Sequence, residues 1–192
     1  MDISLIIDQE LVWGYSLKTV LIATVFFVTI IALLKKYFNG GSFSIPNISL
    51  KGKTAVVTGG NSGIGAETVR ELAKLGCSIV IGARDKSTAT TLIKSIKKEK
   101  PSAEVEFVSL DLSSFESIKE FAGSIQFEAI DYLVNNAGVM AIPKRKLSKQ
   151  GFEMQWAVNH LGHFYLTSLL WNKVQKSSFF RVINVSSLAH KA

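Results

Sequence analysis

The residues with the clearest chemical meaning form a glycine-rich segment, Thr58-Gly59-Gly60-Asn61-Ser62-Gly63-Ile64-Gly65. The apolar, β-branched run 53–57 before it predicts a buried strand, and the pattern 66–76 after it predicts a helix closed by a glycine. A glycine-rich turn lets the main chain approach a pyrophosphate closely, and the helix that follows offers unpaired N–H groups to the anion. Strand, turn and helix in this order therefore predict a phosphate site for a dinucleotide.

A glycine-rich string alone is weak evidence, but its flanking strand and helix make this one specific. A plain turn does not need three glycines at this spacing, so we expect this segment to cradle the cofactor phosphates. The residues that we assign to this part of the cofactor site are Gly59, Asn61, Ser62, Gly63, Ile64 and Gly65.

The spacing T-G-x-x-x-G-I-G resembles that of the short-chain dehydrogenase/reductase family. Three more motifs follow in the family's order, at 135–138 (N-N-A-G), 158–164 (V-N-H-L-G-H-F) and 182–187 (V-I-N-V-S-S). The four motifs cover residues 51–192, and the wording around them is most similar to the retinol dehydrogenase-like branch. This resemblance implies a nicotinamide cofactor and a lipophilic alcohol, with its aldehyde or ketone, as the substrate.

Short apolar runs alternate with helical patterns along the second part of the chain. The predicted strands are 54–58, 78–82, 104–109, 131–135 and 181–186. Such alternation predicts an α/β fold with a doubly wound, Rossmann-like parallel sheet and helices on both faces. Members of the family usually complete seven strands in about 250 residues, so the resemblance implies that this sheet is incomplete.

Two residues of the later motifs match catalytic positions of the family. The resemblance implies that Asn159 supports a water molecule in a proton relay and that Ser187 holds the substrate carbonyl or hydroxyl. The family's Tyr-x-x-x-Lys motif follows that serine by about a dozen residues, but these 192 residues contain no tyrosine after Tyr165. We therefore expect a truncated enzyme that has no activity by itself. The alternative is a naturally short, inactive relative that serves as a nucleotide-binding or scaffold subunit of a membrane assembly.

The residues after the second predicted strand bear on cofactor choice. A carboxylate at the position of Ala83 would bond a ribose 2′-hydroxyl and repel a 2′-phosphate. Alanine removes that repulsion, and the guanidinium of Arg84 can pair with the phosphate. The sequence thus favours NADP(H) over NAD(H). The competing interpretation is that Arg84 is a surface residue paired with Asp85 or Glu67.

The resemblance also places residues of two later loops at the cofactor. Asp111 and Leu112 follow the third predicted strand, where the family has an aspartate that meets the adenine. The competing interpretation is that this segment caps a helix starting near 113–114. In the N-N-A-G motif, Asn136, Ala137 and Gly138 resemble cofactor-lining residues, with the preceding Asn135 partly structural.

The remaining residues that could do chemistry have simpler explanations. His160 and His163 form an H-x-x-H pattern, but no carboxylate or third ligand lies at a supporting spacing, so we expect histidines of a core or an interface and no metal. Cys77 is the single cysteine, which excludes an intrachain disulfide and indicates a small buried residue. The net charge of +7 comes without a nucleic-acid recognition motif, so no nucleic-acid partner is expected.

The first part of the chain predicts a membrane anchor. Its apolar span, 17–34, would extend about 27 Å as a helix, near the lower limit for crossing a bilayer. A cleavable signal peptide is the alternative, but it would need a basic start, and here the start is acidic. Because Lys35 and Lys36 follow the span, we expect a single-pass anchor with the rest of the chain in the cytosol, at the endoplasmic reticulum.

The predicted organisation has three parts. They are an anchor at 1–38, a linker at 39–50 that contains glycine, serine and proline, and a truncated dinucleotide-binding domain at 51–192. The expected partners are membrane lipid and a lipophilic small molecule. The sequence leaves a homo-oligomer open.

Overall fold

The computed structural model describes residues 11–12, 15–38 and 48–187. The chain divides into two compact units, Met1–Asn47 and Ile48–Ala192. The four motifs found in the sequence all lie in the second unit.

Among the described residues of the first unit, one apolar helix, α1 (Leu17–Phe38), follows an antiparallel pair of two-residue strands, β1 (Leu11–Val12) and β2 (Tyr15–Ser16). At 1.5 Å per residue its 22 residues extend about 33 Å. By length and composition this helix is able to cross a membrane. The hydroxyls of Thr24 and Thr29 donate to main-chain carbonyls one turn back, at 2.8 Å each, so they need no partner outside the helix.

Aromatic residues flank the span in the sequence, Trp13 and Tyr15 before it and Tyr37 and Phe38 after it, where residues of a membrane interface are expected. Trp13 lies outside the described residues, whereas Tyr15 is exposed just before α1. Tyr37 and Phe38 end the helix as an edge-to-face pair with ring centroids 5.4 Å apart. Lys35 and Lys36 lie in the same last turn.

The second unit contains a five-stranded parallel sheet in the order β5-β4-β3-β6-β7. Its strands are β3 (Thr54–Thr58), β4 (Ser78–Ala83), β5 (Val105–Ser109), β6 (Tyr132–Asn135) and β7 (Arg181–Asn184). The helices between them are α2 (Gly63–Lys74), α3 (Lys86–Glu99), α4 (Phe115–Ser124), α5 (Met154–Trp156), a π-helix (Ala157–Leu161) and α6 (Gly162–Val174).

The central strands β3, β4 and β6 are buried on both faces of the sheet, whereas the edge strand β7 is largely exposed. Alternate residues of the central strand point to opposite sides, as the period of two requires. Ala55 and Val57 pack with α2 and α3, whereas Val56 packs with α4 and α6. Cys77 is buried in the first of these clusters, and burial raises the pKa of its thiol to about 12. The prediction of a doubly wound parallel sheet is confirmed.

The amino ends of β3 and β6 are joined by a buried carboxylate. Asp131 accepts hydrogen bonds from Lys53 Nζ at 2.9 Å, from the main chain of Thr54 at 2.9 Å and from Ser177 Oγ at 2.7 Å. Burial disfavours the charged form of Asp131, but bonds from Lys53, Ser177 and Thr54 outweigh this effect and lower the pKa of the carboxyl. The ion pair fixes these strand ends to one another.

The element boundaries differ from the prediction mainly at the glycine-rich segment. The helix was predicted from residue 66, but α2 begins at Gly63. The last glycines of the motif therefore form the first helical turn. In the sequence a glycine indicates a turn. In the structure Gly65 is part of a helix, and neighbouring atoms pack so closely against it that no side chain would fit. The strand predicted to run to 186 ends at Asn184.

Candidate cofactor site and catalytic residues

A cleft of about 390 Å³ opens at the carboxyl ends of the strands around β3, which pairs with β4 on one side and with β6 on the other. Such a crevice is the general ligand position in open α/β sheets. Every predicted cofactor residue except Gly63 lines it. These residues are Gly59, Asn61, Ser62, Ile64, Gly65, Arg84, Asp111, Leu112, Asn136, Ala137 and Gly138.

The start of α2 at this cleft is suited to an anion. Ser62 is the N-cap residue, yet its side chain makes no capping hydrogen bond, and the first turn contains no acidic residue. Ser62, Gly63 and Ile64 are exposed, and a methyl group on Gly63 would meet no atom within 4 Å. The first N–H groups of a helix have no carbonyl partner one turn back and carry positive dipole character, and here the residues of this turn lie at the cleft.

The other two predicted glycines serve the packing of the turn against the N-N-A-G motif. Gly59 has φ +63, and a Cβ there would lie 2.9 Å from Ala137 Cα. A Cβ on Gly65 would lie 2.5 Å from Asn136 Nδ2 and would clash with the Gly59 carbonyl oxygen. Glycine is required at both positions because the two segments that line the cleft touch each other here.

Thr58 connects these same segments, although no role of its own was predicted for it. Its buried hydroxyl accepts the main-chain N–H of Asn136 at 2.9 Å and of Ala137 at 3.0 Å. The Asn136 side chain returns a bond to the Thr58 carbonyl at 2.9 Å. The signals for it in the sequence were its place at the end of a buried strand and as the first residue of the T-G-x-x-x-G-I-G motif.

The surroundings of Arg84 bear on the choice of cofactor. Ala83 is buried at the end of β4, and Arg84 is exposed on the wall of the cleft. Asp85 instead caps α3 through the N–H groups of Ser87 and Thr88, and the carboxylate of Glu67 lies 3.5 Å from Arg70. Within the described part of the chain, no ion pair to Arg84 is formed. Arg84 is thus exposed, as the competing interpretation requires, but neither Asp85 nor Glu67 forms an ion pair with it.

Asp111 itself does not cap the helix, and its contact with the adenine stays a prediction. Its carboxylate lies at the cleft and accepts the main-chain N–H of Ser113 at 2.9 Å, so it closes a local turn. The N-cap of α4 is Ser114, whose hydroxyl accepts the N–H of Ser117. Asp111 thus shapes the approach to the helix without capping it. Both hydrogen bonds of the Asp111 carboxylate go to Oδ1, so its other oxygen accepts none from the described residues.

Asn159 is held by its side chain to the loop that follows the N-N-A-G motif. Its amide oxygen accepts the N–H of Val139 at 2.8 Å, and its amide nitrogen donates to the Val139 carbonyl at 2.9 Å. A Cβ on Gly138 would lie 3.5 Å from the Asn159 amide oxygen. The amide retains one further N–H and one further lone pair, which is what a water-supporting role requires.

The structure places the two predicted catalytic residues outside the lining of the first cleft. Asn159 lines a second cavity of about 310 Å³, together with Asn135, Asn184 and Val185 at the ends of β6 and β7. Asn135 donates to Thr167 and to Asn184, in agreement with a structural role. Ser187 is exposed, three residues beyond β7, and lines neither of these two cavities.

The segment that carries Asn159 is a π-helix, which the sequence analysis did not predict. The N–H of Gly162 bonds the carbonyl of Ala157, five residues back. Wide helical turns of this kind occur frequently at functional sites. Of the two histidines considered as metal ligands, His160 stacks on Trp156 with ring centroids 4.4 Å apart, and His163 is buried.

The comparisons with known proteins agree with this architecture. The family described as short chain dehydrogenase matches residues 53–192. Human retinol dehydrogenase 13 is 46% identical over 162 residues, which are 83% of this chain and 48% of that protein. Human polyprenol dehydrogenase is 40% identical over 144 residues, 72% of this chain and 43% of the relative. The chain thus spans about half the length of the curated relatives that it matches.

A solved structure with a bound nucleotide is also similar. A metagenomic short-chain oxidoreductase in complex with NADP has a TM-score of 0.64 and 32% sequence identity, covering 74% of this chain and 66% of its own. The fold, the cleft and these matches show that the chain belongs to the short-chain dehydrogenase family. Within that family it falls in the retinol dehydrogenase-like branch, as the sequence motifs predicted.

Proposed function

We propose that this chain carries the cofactor-binding half of a membrane-anchored, NADP(H)-dependent oxidoreductase that interconverts a lipophilic alcohol with its aldehyde or ketone. The observation that carries the proposal is the cleft itself. It joins an uncapped helix N-terminus, which suits a pyrophosphate, to an Arg84 side chain that forms no ion pair with any described residue.

The preference for a 2′-phosphate follows from the wall formed by Ala83 and Arg84. Ala83 presents no carboxylate that would repel the phosphate, and the Arg84 guanidinium offers a fork of donors to it. Asp111 and Leu112 line the adenine side by resemblance to the family, and Asn136, Ala137 and Gly138 line the cleft toward β6. The bound nucleotide would supply the hydride, which no protein side chain can provide.

The residues of this chain contribute orientation and proton handling. We assign to Asn159 the support of a water molecule, because its amide keeps one donor and one acceptor after bonding Val139. We assign to Ser187 a hydrogen bond to the substrate oxygen. The Tyr-x-x-x-Lys pair of the family is not among these 192 residues, so cofactor binding is the part of the proposal that this chain can test directly.

The lipophilic substrate and the membrane are proposed together. The names of two relatives, retinol dehydrogenase and polyprenol dehydrogenase, specify long apolar alcohols, which concentrate in bilayers. α1 offers the means of holding the domain at that source of substrate, and Lys35 and Lys36 favour a cytosolic domain. We propose the endoplasmic reticulum as the membrane.

The test is equilibrium binding of NADPH and NADH to the full 192-residue chain in detergent. NADPH is expected to bind more tightly, and the double change Ala83→Asp with Arg84→Ala is expected to reverse the order. One charge pair is worth roughly 1–3 kcal/mol, so we expect a shift of about tenfold or more in the ratio of the two dissociation constants.

The matched control is Arg145→Ala. Arg145 is an exposed arginine that does not line the cleft, so its loss removes one positive charge, as the Arg84→Ala part of the double change does, without touching the site. Equal affinity for the two nucleotides before and after the double change would overturn the cofactor assignment. Failure of the parent chain to bind either nucleotide would overturn the proposal that the cleft is a nucleotide site.

A further inference from the structure

His163 is a buried titratable residue to which the proposed reaction gives no task. It is the second residue of α6 and is 6% exposed. Both ring nitrogens have partners: Nε2 lies 2.8 Å from Thr58 Oγ1, and Nδ1 lies 3.2 Å from the main-chain oxygen of Asn159. These partners come from the two parts of the candidate site. Thr58 ends the strand before the glycine-rich turn, and Asn159 lies in the π-helix.

The hydrogen bonds of Thr58 determine which ring nitrogen carries the proton. The hydroxyl oxygen already accepts the N–H groups of Asn136 and Ala137, so both lone pairs are used and the hydroxyl must donate its own proton elsewhere. Two acceptors are in reach, His163 Nε2 at 2.8 Å and the Val134 carbonyl at 3.4 Å. The shorter bond makes Nε2 an acceptor. The ring proton therefore lies on Nδ1, facing the carbonyl of the π-helix.

A charged imidazolium does not fit this arrangement. Protonated Nε2 would point a third N–H group at an oxygen whose two lone pairs are already occupied. Burial, opposed in part by the bond to Asn159 and assisted by the neighbouring His160, lowers the pKa of His163 below its ordinary value. Geometry and burial agree on a neutral ring with one defined tautomer.

The bond to the π-helix completes a closed set of contacts around Asn159. The Asn159 side chain is fixed to Val139, and its main-chain carbonyl is fixed to His163, which in turn is fixed to Thr58. Thr58 also holds the Asn136–Ala137 main chain at the cleft. One imidazole thus connects the residue assigned to the proton relay with the segments assigned to the cofactor.

We propose that His163 is a positioning residue, which as a neutral Nδ1–H tautomer sets the distance between Asn159 and the cofactor-binding turn. The consequence for catalysis rests on the proposed function, because it concerns the alignment of relay and nucleotide. The connection itself is a property of the folded chain and is measurable without any nucleotide.

Two substitutions separate the two bonds. In His163→Asn the side-chain amide reaches about the position of Nδ1, so it can still donate to the Asn159 carbonyl but cannot reach Thr58. In His163→Gln the amide reaches about the position of Nε2, so it can still bond Thr58 but not the carbonyl. The reporters are amide resonances of the full chain in detergent. Those of the Val139 N–H and the Asn159 side chain report on the bond between His163 and the Asn159 carbonyl. Those of the Asn136 and Ala137 N–H groups report on the bond between His163 and Thr58.

The expected result is selective. His163→Gln should shift the Val139 and Asn159 resonances and leave those of Asn136 and Ala137 near their original positions, whereas His163→Asn should do the reverse. A residue that only fills space would disturb both sets alike in both variants, or neither set. Either of those patterns would overturn the proposal.

A second measurement needs no substitution. Long-range ¹H–¹⁵N correlation of the imidazole rings in the unaltered chain reports the tautomer, with His160→Gln as an assignment control for the exposed neighbour. We expect a neutral ring protonated on Nδ1 at pH 7. A ring that is charged, or protonated on Nε2, would overturn the proposal even if both variants failed to fold.

Nucleotide affinity distinguishes this inference from the proposed function. If the parent chain binds NADPH, each variant should weaken that binding about two- to tenfold, the effect of one lost hydrogen bond. Unchanged affinity in both variants would show that the connection does not reach the cofactor turn. Absence of NADPH binding in the parent contradicts the proposed function alone, because the tautomer and the selective shifts do not depend on nucleotide.

Discussion

Gly162 packs directly against the main chain of Leu112: a Cβ on Gly162 would lie 2.5 Å from the Leu112 carbonyl oxygen and 3.0 Å from the Ala157 carbonyl oxygen. Leu112 belongs to the loop that lines the cleft after β5, and Gly162 is the first residue of α6. The absence of a side chain therefore sets how closely the helix bearing His163 approaches the cofactor cleft.

Gly162→Ala should destabilise the chain, because a carbonyl of the main chain cannot move aside as a flexible side chain can. We expect a loss of about 1–3 kcal/mol in the free energy of unfolding, measured by urea denaturation of the full chain in detergent. The matched control is Gly123→Ala in α4, where a Cβ meets no atom within 4 Å. There the better helix propensity of alanine should raise stability by up to about 1 kcal/mol. Equal effects of the two changes would contradict the packing argument.

Asp131→Asn should also destabilise the second unit. The carboxylate accepts bonds from Lys53, Thr54 and Ser177, and an amide cannot accept all of them. The expected loss is about 2–3 kcal/mol by the same denaturation measurement. Glu71→Gln is the control, since Glu71 forms an exposed pair with Lys74, and exposed ion pairs contribute little to stability because water screens them. A loss at Asp131 no larger than that at Glu71 would contradict the role given to this buried pair.

Stability should decrease as the pH falls from 7.5 to 5.5. The pKa of His163 in the folded chain is below its ordinary value of 6.5, so in this range the unfolded chain binds more protons than the folded one. The stability that depends on a neutral His163 is fully present above the pKa that this residue has in the unfolded chain. It is lost progressively as the pH falls below that value. Unfolding curves at several pH values should show this slope in the parent and a smaller slope in His163→Gln. Identical slopes would mean that other groups cause the pH dependence.

Residues 1–38 should retain a fused fluorescent protein in the membrane fraction during alkaline carbonate extraction. The expectation follows from the length and apolar character of α1, and Lys35 and Lys36 predict that the fused protein is open to protease added from the cytosolic side. A control fusion with Val25, Phe26 and Ile30 changed to Asp should be released, since charges at the centre of a span are costly. Release of the parent fusion would contradict the anchor, and protection from protease would contradict its orientation.

The sequence by itself predicted the local units of this protein. The glycine-rich turn, the alternating strands and helices and the Ala83–Arg84 pair are patterns of neighbouring residues, so side-chain periodicity and turn chemistry reveal them directly. The resemblance to the family added the later segments that were expected at the cofactor. Because parallel strands end at one edge of a sheet, all predicted cofactor residues except Gly63 line one cleft.

Only the tertiary structure determined how those segments are held together. Thr58 and His163 are separated by 105 residues, and Lys53 and Asp131 by 78 residues, and no local pattern predicts which distant polar groups will pair. Burial then decides their chemistry: removal from water requires every donor to find an acceptor, which fixes the bonds of Thr58 and the tautomer of His163. The same close packing fixes Gly162 against Leu112 and begins α2 at Gly63. These contacts depend on distances between elements, which only the assembled sheet and its helices set.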